Sequence, residues 1–196
     1  MEIRMKSSLL ALVAAGAAFT TVSAAPVKYE IDPDHTYPSF TADHMGGLSN
    51  WRGKINKSWG TITLDTAAQT GTVEVTMDMK EIDFGHDKMN EHARSADIFD
   101  VEQYPTATFT GKLVNFKNGA PTEVDGSLTL HGVTKPVKLK INQFLCKQHP
   151  MKQKEVCGAD ASGKINREDF GVSYGKAYGF KQDVELQIQV EALKAD

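Results

Sequence analysis

The 196-residue chain carries 22 basic and 25 acidic side chains, a net charge of −3 that argues against a nucleic-acid partner. At this length one domain is expected, with a core large enough to hold without many disulfides.

Arg4 and Lys6 lead into an apolar run over residues 9–22, and Val22, Ser23 and Ala24 offer the small residues that a signal peptidase reads. The run is about 14 residues, short of the roughly 20 needed to span a bilayer as a helix. Residues 1–24 therefore read as a signal peptide cleaved after Ala24, which places the product in a bacterial periplasm. Removing Glu2, Arg4 and Lys6 with the leader leaves 20 basic and 24 acidic side chains in a single domain over residues 25–196.

Beyond the leader the dominant signal is alternation of apolar and polar residues with period two, the mark of strands with one wet face. It runs over residues 27–32, 39–45, 59–64, 71–79, 106–111, 126–130, 135–141, 160–165 and 184–193. In the last of these, Val184, Leu186, Ile188, Val190 and Ala192 oppose Glu185, Gln187, Gln189 and Glu191. Turn signals at TAAQTG, KNGAP and LHGVTKP separate the runs. In SFTADHM, His44 shares a face with Phe40 and Ala42, so an imidazole points among apolar neighbours and needs a partner there. Met77, Met79 and Met89 suit an adaptable pocket, but Met on a strand face is core more often than ligand wall.

One segment breaks the pattern. In HDKMNEHARSAD, Met89, Ala93 and Ala96 recur at spacings of four and three, which predicts an amphipathic helix of about three turns over residues 85–97. Asp87 favours its start, and Pro105 downstream marks its end. A single such helix among strands must lie on something apolar, and the open end of a barrel offers that. Arg94 on this helix pairs with Glu91 or Asp97, or else meets a ligand headgroup.

Cys146 and Cys157 are the two cysteines of the chain. In an oxidising compartment a bridge between them closes a short loop and contributes on the order of 3 kcal/mol. Two free thiols, or a metal pair with His149, are the other readings of the same residues. Eight or nine strands form either a sandwich or a barrel, and an eight-stranded barrel leaves room for one small ligand. No HExxH, GxSxG, P-loop or dinucleotide motif is present, and no catalytic residue is nominated.

YEIDPDHTYPSFTADHMGG, RSADIFDVEQYPTATF, GSLTLHGVTKPVKL and GKINREDFGV, in this order and spacing, resemble the YceI-like polyisoprenoid-binding family over residues 29–192. The resemblance implies an all-β, extended lipocalin-like antiparallel barrel of eight strands, with the short helix at its mouth and an apolar tunnel inside. It implies a polyisoprenoid, quinone tail or fatty amide as ligand, with no chemistry done on it. Ile55 stands where the family has Phe, and the loop between the cysteines belongs to a subset of members in which a bridge is expected.

On this reading the tunnel is lined by Phe40, Met77, Met79, Phe84, Met89, Phe99, Phe109, Leu128, Leu130, Leu139, Phe170, Tyr174 and Phe180. Headgroup contacts fall to His44 and Arg94, with His92 third. The expected function is that of a periplasmic binding or carrier protein that is not an enzyme. No cofactor beyond the bound isoprenoid or quinone is expected, no stable membrane insertion and no metal; a homodimer is compatible with an exposed strand edge. The rival reading is a metal-binding or stress-response module built on His35, His44, His86 and His92.

Overall fold

The computed structural model describes residues 25–196; the expected signal peptide and its cleavage after Ala24 lie outside the described residues. Eleven strands follow in order: β1 (Val27–Ile31), β2 (Tyr37–His44), β3 (Ser49–Ile55), β4 (Ser58–Asp65), β5 (Thr70–Asp78), β6 (Ile82–Asp83), β7 (Thr106–Val114), β8 (Glu123–Leu130), β9 (Val133–Gln148), β10 (Glu155–Asn166) and β11 (Asp183–Lys194). Helix α1 (Asp87–Arg94) lies between β6 and β7.

Every pairing is antiparallel, and β1 bonds both β4 and β11, so the sheet closes on itself. Three chain segments contribute two strands each around a kink: β1 continues into β2, β3 into β4, and β5 into β6. Beside β1 and β4 run in turn the partners β2 and β3, and β6 extends the row past β3. Counting each kinked pair as one stave gives an eight-stranded closed barrel. Two of the three kinks are written locally: Asp32 accepts from the Asp34 amide at 3.0 Å and Asp78 from the Lys80 amide at 3.1 Å, each capping a short 3₁₀ turn.

Outward positions are polar, as Glu185, Gln187, Gln189 and Glu191 along β11 illustrate, and inward ones are apolar. Each of the nine predicted runs coincides with a strand, three of them overrunning it by one residue at Asp32, Met45 and Met79, but β3 and β6 were not expected, and β9 and β10 are longer than their predicted runs. β3 alternates weakly, with Asn50, Arg52 and Lys54 opposing Trp51, Gly53 and Ile55, because a glycine stands in its inward row. Pairing to β2 on its flank is what makes it a strand. In β9 the register shifts opposite Asp160 and Ala161, leaving Asn142 unpaired and moving the inward phase from Ile141 to Phe144 and Cys146. Leu145 is thereby turned outward.

Helix α1 is two turns, shorter than the sequence predicts, because Ser95 caps it by donating its amide to Glu91 and His92 carbonyls. Ala93 is fully buried and Met89 half-buried, whereas Ala96 lies past the end of the helix and is exposed. The helix is clamped to β6 by Asn90, which donates to Asp83 at 2.9 Å and accepts from the Phe84 amide at 2.7 Å.

A cavity at one end of the barrel

The two ends of the barrel are filled differently. At the end holding the β9–β10 hairpin, Tyr29, Ile31, Leu64, Leu113, Val124 and Ala192 close the interior. Cys146 and Cys157 face each other across β9 and β10 and form a disulfide inside this packed end. The Tyr29 hydroxyl donates to Glu155 at 2.5 Å, and burial followed by that carboxylate pushes the phenol well above its ordinary value.

The other end is hollow. A cavity of about 400 Å³ opens there, between the β2–β3 turn, α1, the β8–β9 turn and the loop before β11. Its walls are apolar over most of their area. Phe40, Met77, Met79, Phe84, Met89, Phe99, Phe109, Leu128, Leu130, Leu139, Tyr174 and Phe180 all stand on it, as do His44 and His92. Phe40 and Phe109 lie flat because glycines face them: a Cβ at Gly53 would stand 2.5 Å from Phe40 Cζ, and one at Gly126 2.5 Å from Phe109 Cζ. Phe40 meets Phe84 edge-on at 5.3 Å between ring centres.

Two residues named from the sequence stand elsewhere. Phe170 is buried in the 3₁₀ turn Arg167–Phe170 and packs in the core without reaching the cavity, since a bulky apolar residue reads the same way in core and wall. Arg94 is not at the mouth; it donates to the Lys80 carbonyl at 3.2 Å, holding the end of α1 to the β5–β6 kink. Its ion-pair reading fails too, because among the described residues no carboxylate lies within salt-bridge reach of it.

The cation that does face the cavity is Arg167. It donates to the Val172 carbonyl at 2.9 Å and the Tyr174 carbonyl at 2.7 Å, which fixes the guanidinium on the rim. Burial lowers its pKa, while Asp43 and Glu168 pull the other way, and an arginine so placed stays charged at neutral pH. The sequence offered a signal for it, since Arg167 stands in GKINREDFGV, but nothing in periodicity separates a rim arginine from a surface one. Trp51, Ile55, Val75, Ile82, Ile98, Val137, Ile165 and Leu186 complete much of the wall and were also not expected there.

His44 stacks on Trp51 at 4.8 Å between ring centres and meets Phe180 edge-on at 4.9 Å. His92 meets Tyr174 edge-on at 4.8 Å. His35 sits at the β1–β2 kink with Asp32, and His86 precedes α1. The four histidines therefore do not converge, and among the described residues no three of His, Cys, Asp or Glu are grouped as a metal site would require. Among those residues also, no helix is long and apolar enough to cross a membrane.

The YceI-like domain matches this chain over residues 29–192. The chain is 36% identical over 195 residues to the protein YceI of Salmonella arizonae, covering 97% of this chain and 99% of that one. Its fold is similar to the crystal structure of BcnA from Burkholderia cenocepacia, with a TM-score of 0.65 and 21% identity over 83% of this chain and 99% of that one. It is also similar to the Campylobacter jejuni YCEI protein, with a TM-score of 0.64 and 26% identity over 76% and 88% of the two chains. A polyisoprenoid binding domain from Saccharophagus degradans aligns with a TM-score of 0.61 and 14% identity over 86% and 99%.

Proposed function

This chain belongs to the YceI-like family, and from that premise we propose that it is an exported, periplasmic binding protein that carries a polyisoprenoid or similar amphiphile and does no chemistry on it. The observation that carries the reading is the apolar cavity of about 400 Å³ at one end of a closed barrel. Each CH₂-sized group moved from water into such a wall gains roughly 0.8 kcal/mol, so an apolar tail suffices to drive binding. Much of that gain is offset by lost motion of ligand and protein. A few polar groups at the mouth then set specificity.

Arg167 takes the headgroup role that the sequence suggested for Arg94, with His44 and His92 beside it on the rim. A guanidinium already committed to two carbonyls holds its remaining N–H donors in a fixed direction, which suits a carbonyl, quinone oxygen or phosphate oxygen. The ligand class is in keeping with the polyisoprenoid binding domain whose fold this chain shares.

Native mass spectrometry of the protein purified from periplasm without detergent tests the proposal, with organic extraction of what it carries. An isoprenoid or quinone at near one per chain is the expected result, with lower occupancy in Arg167→Gln. A protein of bare mass that also refuses added quinone and polyprenyl lipid overturns it.

A further inference from the structure

The large apolar side chains that remain exposed are not scattered evenly. Met45, Leu48, Tyr174 and Tyr178 stand on the two neighbouring loops of the mouth, with Leu48 72% and Tyr178 73% exposed. Those loops form one ridge. The Asp43 carboxylate accepts from the Gly46 amide and from the Lys181 amide, both at 2.9 Å, and a Cβ at Gly46 would stand 3.2 Å from the Gly179 carbonyl oxygen. Two bonds to one charged acceptor make the ridge a fixed platform, so its apolar side chains are presented and not merely loose. Met45 even adopts a left-handed backbone, φ 53°, a conformation uncommon for its residue type.

Beside the ridge, a groove between β3 and α1 holds Arg52 and Lys88 together with His86. No carboxylate lines this groove, and among the described residues neither Arg52 nor Lys88 has a salt-bridge partner. Asp87 and Glu91, on the same helix, are not among the side chains lining it. A chain whose net charge is −3 thus gathers unpaired cations next to its exposed apolar ridge. The groove and the cavity share Trp51, Phe84, Met89 and His92, so the cationic floor runs without a break into the apolar interior.

From this arrangement we infer that the mouth rim is a docking surface for an anionic lipid bilayer. The tyrosines and Leu48 enter the headgroup boundary, where an aromatic ring with a polar tip is favoured, and Arg52 and Lys88 meet lipid phosphates. The cavity then opens onto the bilayer, and a lipid passes between the two in continuous apolar contact along Trp51 and Phe84. Contact of this kind is peripheral and reversible, since a few side chains and two cations are far from an inserted segment. The inference rests on the reading that the cavity holds a lipid.

Flotation of the purified protein with vesicles tests it, comparing phosphatidylcholine alone with phosphatidylcholine mixed with phosphatidylglycerol. The protein is expected to float with the mixed vesicles and far less with the neutral ones. Leu48→Ser combined with Tyr178→Ser lowers the bound fraction about tenfold or more, and Arg52→Gln with Lys88→Gln removes the preference for phosphatidylglycerol. Met151→Ser, at the opposite end and 83% exposed, leaves flotation unchanged. Circular dichroism confirms that the variants are folded. Wild-type protein that stays in the aqueous layer, or a Leu48 and Tyr178 double variant that floats as well as wild type, overturns the docking surface. Uptake of decylubiquinone from ethanol dispersion, followed by tryptophan fluorescence, is measured in parallel. Uptake without flotation sinks the docking inference alone, and loss of uptake in the wild type sinks the cavity reading.

Discussion

The packed end and the mouth of this barrel are built from the same staves. Inward residues alternate with outward ones along both, yet one end is solid and the other hollow. At the packed end Tyr29, Leu64 and Leu113 are buried in the core and the Cys146–Cys157 bridge spans β9 and β10. At the mouth the three kinks lead into β2, β3 and β6, and the helix with the turn after it joins β6 to β7. The difference teaches that a barrel becomes a container through its kinks and closures, not through a different strand pattern.

The sharpest test of that difference inserts the same bulk at both ends. Leu130→Trp or Met77→Trp fills the cavity and should abolish one-to-one lipid loading in native mass spectra while the denaturation midpoint hardly moves. Leu113→Trp, in the packed end, has no space to enter and should cost about 1–3 kcal/mol in a urea titration. Equal stability losses at the two ends would show that the mouth is not hollow. The second test removes the bridge. Cys146→Ser with Cys157→Ser opens an 11-residue separation and should cost about 3 kcal/mol, read from denaturant midpoints, without changing ligand capacity.

The smallest expected effect concerns the kink at Asp32. Burial tends to raise this carboxyl, but hydrogen bonds from His35, the Asp34 amide and Lys152 outweigh it and hold it below the usual carboxylate range. A carboxylate whose folded pKa is depressed stabilises the fold above its unfolded value, near 4, and loses that contribution as pH falls through the folded value. Asp32→Asn should therefore destabilise by about 1 kcal/mol at pH 7, and wild type and variant should converge in acid. His35 works in the opposite sense, because bonding to Asp32 raises it, so its share is present below about pH 6.5 and fades as pH rises through the folded value. A gap between wild type and variant that stays constant with pH would show that the kink is held by shape alone.

Most strands were legible from alternation, because a strand with one wet face and one dry face states its own period. Residues 184–193 read as a strand and lie within β11, with Val184 and Ala192 inward. Strand β3 was missed although Arg52 and Lys54 alternate with Trp51 and Ile55, since Gly53 weakens its inward row and its place depends on pairing with β2. The helix was legible as a helix, but its end was not, for Ser95 stops it by a cap that the apolar spacing did not reveal. Leu145 would have been assigned inward by its character, and the register shift after Ile141 turned it outward.

The candidate site divides in the same way. Alternation alone puts Phe40, Met77 and Leu130 inside, and the four family motifs identify the barrel that encloses them. Sequence could not separate wall from core, because Phe170 and Phe109 are the same residue type; Phe109 on β7 lines the cavity, whereas Phe170 is buried in the 3₁₀ turn after β10. Nor could it choose between Arg94 and Arg167. Both are arginines among carboxylates in the sequence, and one bonds a carbonyl outside the barrel while the other is held on the rim by two. What the chain determined by itself is most of the strands, their inward faces away from the register shift in β9, and the family, since these follow from short-range period and motif. Which inward faces meet, which stand apart around a cavity, and which charge faces it were decided by the closing of the barrel, because only then do residues far apart in sequence share one space.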